Sequence, residues 1–168
     1  MRRAAALLVA FAFVVPACGG GASAGERIGV RTYVETIKPL AKEGGRVVIE
    51  GVRPGLSDLV NGRITGETFR SQAKGWRGEL EQVRVGFAAA KIPDKLARAA
   101  QLFDTSLRGY VAAIDAFVAA SFSVGEPLKT AIKSAVPLAE RADKTYDEAT
   151  AILEKERKRV GLADSYKL

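Results

Sequence analysis

The chain predicts an all-α fold, an antiparallel four-helix bundle with a kinked or segmented first helix. Three observations predict it. From Glu26 onward the apolar residues recur at spacings of three and four, the period of one helical face. In the second and third segments those spacings alternate as a heptad seam. Short clusters of Gly, Pro and Asn separate the segments, so the connections are brief and neighbouring helices run antiparallel.

The first helix is carried by Val30, Tyr33, Val34, Ile37, Leu40 and Ala41. Pro39 predicts a kink, and Gly44-Gly45 weakens or ends the helix. Val47-Val48-Ile49 reads as a buried strand in isolation. With no partner strand elsewhere it is taken as a second segment of helix 1, interrupted at Pro54-Gly55 and ending near Asn61-Gly62.

Thr65-Gly66-Glu67-Thr68 opens the second helix, whose seam is Phe69, Ala73, Trp76, Leu80, Val83 and Phe87. Lys91-Ile92-Pro93 closes it, with Pro93 placed as the first residue of the third helix. There Leu96, Ala100, Phe103, Leu107, Tyr110, Ile114, Phe117 and Ser121 repeat the alternation. Ser123–Pro127 reads as a turn. The fourth helix carries Leu128, Ala131, Ala135, Ala139, Ala142, Tyr146, Ala149 and Leu153, with Pro137 as a bend. Basic residues followed by Gly161 end it as a helix stop should read. An alanine-lined helix facing Phe and Trp lets the helices interlock closely.

Ahead of the bundle, Arg2-Arg3, the apolar run Ala4–Val15 and Val15-Pro16-Ala17-Cys18 form a secretory signal. The run falls short of the roughly 20 residues that span a bilayer. Its ending resembles a bacterial lipoprotein lipobox, although Pro16 is unusual in that motif. The resemblance implies that residues 1–17 are cleaved and that Cys18 is lipidated, anchoring the chain to the cell membrane on its extracytoplasmic side. Ala22-Ser23-Ala24 is a competing A-x-A site that would release a soluble chain beginning at Gly25. Residues 18–25 read as the lipidated cysteine and a Gly-rich tether with a span of about 15 Å, and residues 26–168 as the bundle.

Composition excludes several chemistries. The 168 residues include no histidine and one cysteine, so no disulfide framework forms. Ser-His-Asp and Cys-His hydrolases and His-containing metal sites are out of reach. A Ser-Lys dyad is chemically allowed, but nothing nominates one. Neither a calcium loop of the Asp-x-Asp-x-Asp-Gly type nor a Gly-Lys-Ser/Thr phosphate loop occurs. The site expectation is therefore no catalytic residue, no cofactor and no metal. Asp104 and Asp115 flank the third seam but stand about 16 Å apart along a helix, and Asp104 has Arg108 at i+4. Asp143, Asp147 and Glu148 form a small acidic run interrupted by Lys144. The heptad-spaced aromatics Phe69, Trp76, Phe103, Tyr110 and Phe117 read as core; Trp76 and Tyr110 each need a partner for a polar atom.

Loss of Arg2 and Arg3 leaves 24 Lys and Arg against 19 Asp and Glu, a net charge of +5. For an exported protein that charge suits a solvated surface, anionic headgroups or acidic wall polymers better than nucleic acid. Lys155, Arg157, Lys158 and Arg159 form the densest basic cluster. In an antiparallel bundle the end of helix 4 lies beside the start of helix 1, which makes the cluster a candidate membrane-facing patch, joined by Lys91, Lys95 and Arg98. Dipole compensation at a helix C-terminus is the competing explanation.

The signal, the lipobox and the segment Ile92-Pro93-Asp94-Lys95-Leu96 followed by Phe103 and Tyr110 resemble the small helical-bundle lipoproteins of high-GC Gram-positive (actinobacterial-type) bacteria. That resemblance implies an address and a fold but no activity. The expected function is a non-enzymatic interaction or scaffolding module of the cell envelope, with an envelope protein or acidic polymer as partner. The alternative is a carrier or sensor with a small-ligand cavity between the first and fourth helices.

Overall fold

The computed structural model describes residues 21–168 of the chain, and these form an all-helical bundle. Cys18 and the signal lie outside the described residues. The first antiparallel layer is one long rod: α1 (Ala24–Arg46), a π-helical segment (Val47–Val52) and α2 (Arg53–Val60). Next come α3 (Gly66–Ala89), α4 (Ala97–Ala120) and α5 (Gly125–Arg159), with single 3-10 turns at Asp94–Leu96 and Asp164–Tyr166.

Helix α1 begins two residues earlier than the tether reading allows. Ser23 accepts from the Glu26 backbone N–H at 3.1 Å, and the Glu26 carboxylate accepts from the Ser23 N–H at 2.8 Å. This reciprocal capping box satisfies two donors that a helix start leaves open, so Ala24 and Gly25 are helical. A chain starting at Gly25 would lack the cap. Ser23→Ala should lower stability by about 1 kcal/mol, measured as a shift of the urea midpoint at constant slope.

The rod does not break where the sequence suggests. Gly44 and Gly45 stay helical, and so does Pro39. Instead of an interruption at Pro54-Gly55, a wider turn precedes the proline, in which the Arg53 N–H donates to the Val48 carbonyl, five residues back. Pro54 has no N–H for the ladder, and its ring crowds the carbonyl of Glu50. The widened turn absorbs that defect and keeps Val47, Val48 and Val52 buried. The rod ends as expected at Asn61-Gly62, where Gly62 takes φ +68°.

Helix α3 opens on Thr65, whose hydroxyl accepts from the Thr68 N–H. Pro93 is not the first α-helical residue of the next element: it precedes the 3-10 turn that leads into α4. The reading of Ser123–Pro127 as a turn also needs correction, because α5 already starts at Gly125 and takes Pro127 into its first turn, where a missing N–H costs nothing. Pro137 lies inside α5 without ending it.

The core follows the expected seams and extends them. Phe69, Ala73, Leu80, Val83, Phe87, Leu96, Phe103, Leu107, Ile114 and Phe117 are all buried. Ala100, Trp76 and Tyr110 are only partly buried. Central α4 also buries Leu102, Ser106, Val111 and Ala113, a second face that a single-seam reading misses. Phe103 sits between Phe87 (ring centroids 5.1 Å apart) and Tyr146 (5.2 Å, edge-on). Phe69 meets Trp76 edge-on at 5.7 Å.

The two ends of the bundle differ. At the basal end, Arg159 donates to Glu26 at 2.9 Å and Arg27 to the Gly161 carbonyl at 3.2 Å, joining the close of α5 to the start of α1. The α3–α4 connection belongs there too, since Gly29 lies against Pro93. The opposite end holds the start of α3 and the α4–α5 turn, with Gly66 against the Ser121 carbonyl. A 24-residue helix such as α4 separates the ends by about 36 Å.

Candidate functional site

Helices α4 and α5 pack along one another extensively, whereas α1 and α5 meet only in part. That unequal closure leaves a cleft between the rod and α5, floored by α4. Gly109 makes it: a Cβ there would lie 3.0 Å from the Ala142 Cβ, so the two helices touch with almost no side chain between them. The buried Ser106 hydroxyl donates to the Ala142 carbonyl at 2.8 Å at the same crossing. Close approach brings the next residue on each helix into reach, and the Tyr110 hydroxyl donates a short hydrogen bond to Asp143. Arg53, from the first turn of α2, reaches over and donates to both Asp143 oxygens at 3.3 and 3.2 Å.

This Arg53–Asp143–Tyr110 bridge divides the cleft into two apolar pockets. The one toward the base, about 190 Å³, is lined by Leu40, Ala41, Val48, Leu80, Val83, Phe87, Leu107 and Tyr146, with Asp147 at its edge. The other, about 180 Å³, is lined by Val48, Val52, Leu56, Ala113, Ile114, Phe117 and Val136, with Glu140 at its edge. Each is smaller than the roughly 300 Å³ of an ordinary small-molecule site.

Burial, first, and then the hydrogen bond and negative charge of Asp143 push the Tyr110 hydroxyl well above the normal tyrosine range. Burial also raises Tyr146, helped by Asp147, and pushes Tyr33 up to about 12. The Tyr33 hydroxyl and Thr150 Oγ1 are buried without a partner among the described residues. All three folded-state values lie above the unfolded value of about 10, so the folded chain holds these protons more tightly. Their contribution to stability is complete below pH 10 and is lost as pH rises, between 10 and 12 for Tyr33. In an alkaline titration, tyrosinate absorbance from these three residues should appear together with the loss of helical circular dichroism, not before it.

The basic cluster of α5 divides in the folded chain. Arg157 is 1% exposed. It donates to Glu154 at 3.0 Å, to Asp164 at 2.8 Å and to the Leu162 carbonyl at 2.5 Å, pinning the C-terminal segment back on the bundle. A residue so enclosed belongs to no surface patch. Arg159 is held by Glu156 and Glu26. Lys155 and Lys158 remain exposed at the basal end, as do Lys91, Lys95 and Arg98. Contact with the end of the chain, rather than charge density along α5, decides which of these cations face solvent.

Asp104 is shared by Arg84 (3.1 Å) and Arg108 (2.8 Å), and Asp115 faces Arg77 at 3.5 Å. No group of three potential metal ligands gathers among the described residues. No helix among them is long and apolar enough to cross a membrane. Comparison with known protein families, with curated proteins and with solved structures returns no match.

Proposed function

We propose that this chain is a lipid-anchored envelope module without enzymatic activity, which meets a partner protein through the end of the bundle farthest from its anchor. The observation that carries the reading is the exposure of Phe122 and Val124, 73% and 82%, at the α4–α5 turn. Ile28, Ile49, Val85 and Ile92 are exposed elsewhere, but Phe122 and Val124 are the two most exposed of the large apolar side chains and stand two residues apart, which supports an interaction surface at this tip. The Arg70 guanidinium lies 4.2 Å from the Phe122 ring centroid and donates to the Ser121 carbonyl at 3.2 Å, so the tip is fixed from below. A shallow groove of about 410 Å³ continues from the tip between α4 and α5, lined by Ala116, Ala119, Ala131, Ala135 and Leu138. An apolar tip and an alanine groove suit a protein segment better than an acidic polymer.

The anchor is the lipid expected on Cys18, five residues ahead of the Ser23 cap that opens α1 at the basal end, and the exposed lysines of that end suit an anionic leaflet. Absence of histidine and tyrosines held neutral by burial leave no activated nucleophile–base pair to nominate. Photoreactive residues placed at Phe122, Val124 and, as a control, Lys74 test the proposal in the native membrane. Adducts with one discrete protein are expected from the two tip positions and not from Lys74. Equal labelling from all three, or none from the tip, would overturn it.

A second reading, a carrier or sensor of a small ligand, is favoured by one observation: the cleft between the rod and α5 lies where such a cavity is expected, and two apolar pockets flank its bridge.

A further inference from the structure

The cleft has a chemistry of its own. Arg53 belongs to the rod and Asp143 to α5, so their ion pair is a clasp across the mouth, with side chains 60% and 40% exposed. Both pockets share Val48, Arg53, Tyr110 and Asp143 as walls. Displacing the Arg53 guanidinium from Asp143 opens the mouth above both apolar pockets, while the Tyr110–Asp143 hydrogen bond stays between them. The groups at its mouth oppose the charge of the rest of the protein. Asp143, Asp147 and Glu140 face a single cation, Arg53, whereas the chain as a whole is basic. Of these three carboxylates, Asp143 is the one that Arg53 holds. Tyr110 and Phe117 add aromatic surface to the lining of the second pocket.

We propose that this cleft binds a small amphipathic organic cation, whose ammonium takes the place of Arg53 on Asp143 and whose apolar body fills the pocket lined by Val52, Leu56 and Ile114. An anion would compete with three carboxylates for one guanidinium. A neutral apolar molecule would leave the clasp shut. An ammonium instead replaces like with like: Asp143 keeps a cationic partner, the Tyr110 hydroxyl goes on donating to it, and the freed Arg53 side chain turns to water. This assignment rests on the reading of the cleft as a small-ligand site, and the test separates the two.

Octylammonium, octanol and octanoate, at equal concentration below micelle formation, are titrated into the full chain carrying Cys18→Ser, which removes the expected lipidation. Binding is followed by methyl NMR of Val52, Leu56 and Ile114. Octylammonium should shift these methyls, with octanol and octanoate at least about tenfold weaker. Arg53→Gln should tighten octylammonium binding, because it removes the competing cation; a purely structural ion pair would not give that result. Asp143→Asn should weaken it about tenfold or more, provided the folded methyl spectrum is retained, and Arg53→Gln decides the matter if it is not. Equal binding of octanol would keep the cavity and overturn the cation. Preference for octanoate, or weaker octylammonium binding in Arg53→Gln, would overturn the clasp. No binding by any probe would overturn the ligand site itself.

Discussion

Phe103→Ala should cost about 3–5 kcal/mol, a large part of the total stability of a domain this size. Phe103 has no exposed surface, and its ring lies between Phe87 of α3 and Tyr146 of α5. Three of the four helical layers therefore meet on one side chain. Truncation removes the apolar transfer term and leaves a void that rigid neighbours on two helices cannot close. The expected result is a lower urea midpoint at unchanged slope, with the near-ultraviolet signal of Tyr146 diminished. Asp115→Asn, on the exposed face of the same helix and paired with Arg77 at 3.5 Å, should stay within about 0.5 kcal/mol of the parent. A loss below about 1 kcal/mol in Phe103→Ala would mean that the helices do not converge on this ring.

Gly55→Ala should destabilise the chain by about 1–3 kcal/mol, although alanine is the better helix former. The reason is Trp76. A Cβ at Gly55 would stand 2.3 Å from the indole Cη2, and one at Gly51 would stand 2.6 Å from Nε1. The indole spans the two glycines and meets Phe69 edge-on. Adding a methyl forces the ring outward, so the fluorescence of this one tryptophan should shift to the red. In a Trp76→Phe background the smaller ring leaves room, and Gly55→Ala should become neutral or stabilising; the double-mutant cycle measures that coupling. Gly45→Ala supplies the contrast. Nothing lies within 4 Å of its added Cβ, and the substitution should stabilise by about 0.5–1 kcal/mol. If Gly45→Ala and Gly55→Ala behaved alike, the glycines of the rod would be breaks and not docking positions.

That contrast marks the limit of what the sequence discloses. Helices α3 and α4 are legible because a heptad seam is a local pattern with a single physical cause. The glycine stops of the rod and of α5 are legible too: Gly62 and Gly161 take φ of +68° and +69°, which glycine accepts without strain. The rod is harder. Gly44-Gly45 and Pro54-Gly55 carry the local chemistry of breaks, but Gly44 packs on Val83 and Gly55 beneath Trp76, contacts made with another helix. Tertiary packing outweighs local propensity there. Burial of Arg157 depends on Leu162 and Asp164 folding back, which a run of basic residues does not reveal. The Arg53–Asp143–Tyr110 bridge joins three elements far apart in the chain. Its one advance signal is a tyrosine on an apolar seam whose hydroxyl needs a partner.

The most direct test of the proposed role is native mass spectrometry of the protein gently extracted from its own membrane, beside a Phe122→Ser/Val124→Ser variant. The expected spectrum shows a chain beginning at acylated Cys18, bound to a second polypeptide that the variant loses while keeping its acyl mass. A chain beginning at Gly25 without lipid, or a complex that survives loss of the apolar tip, would contradict it.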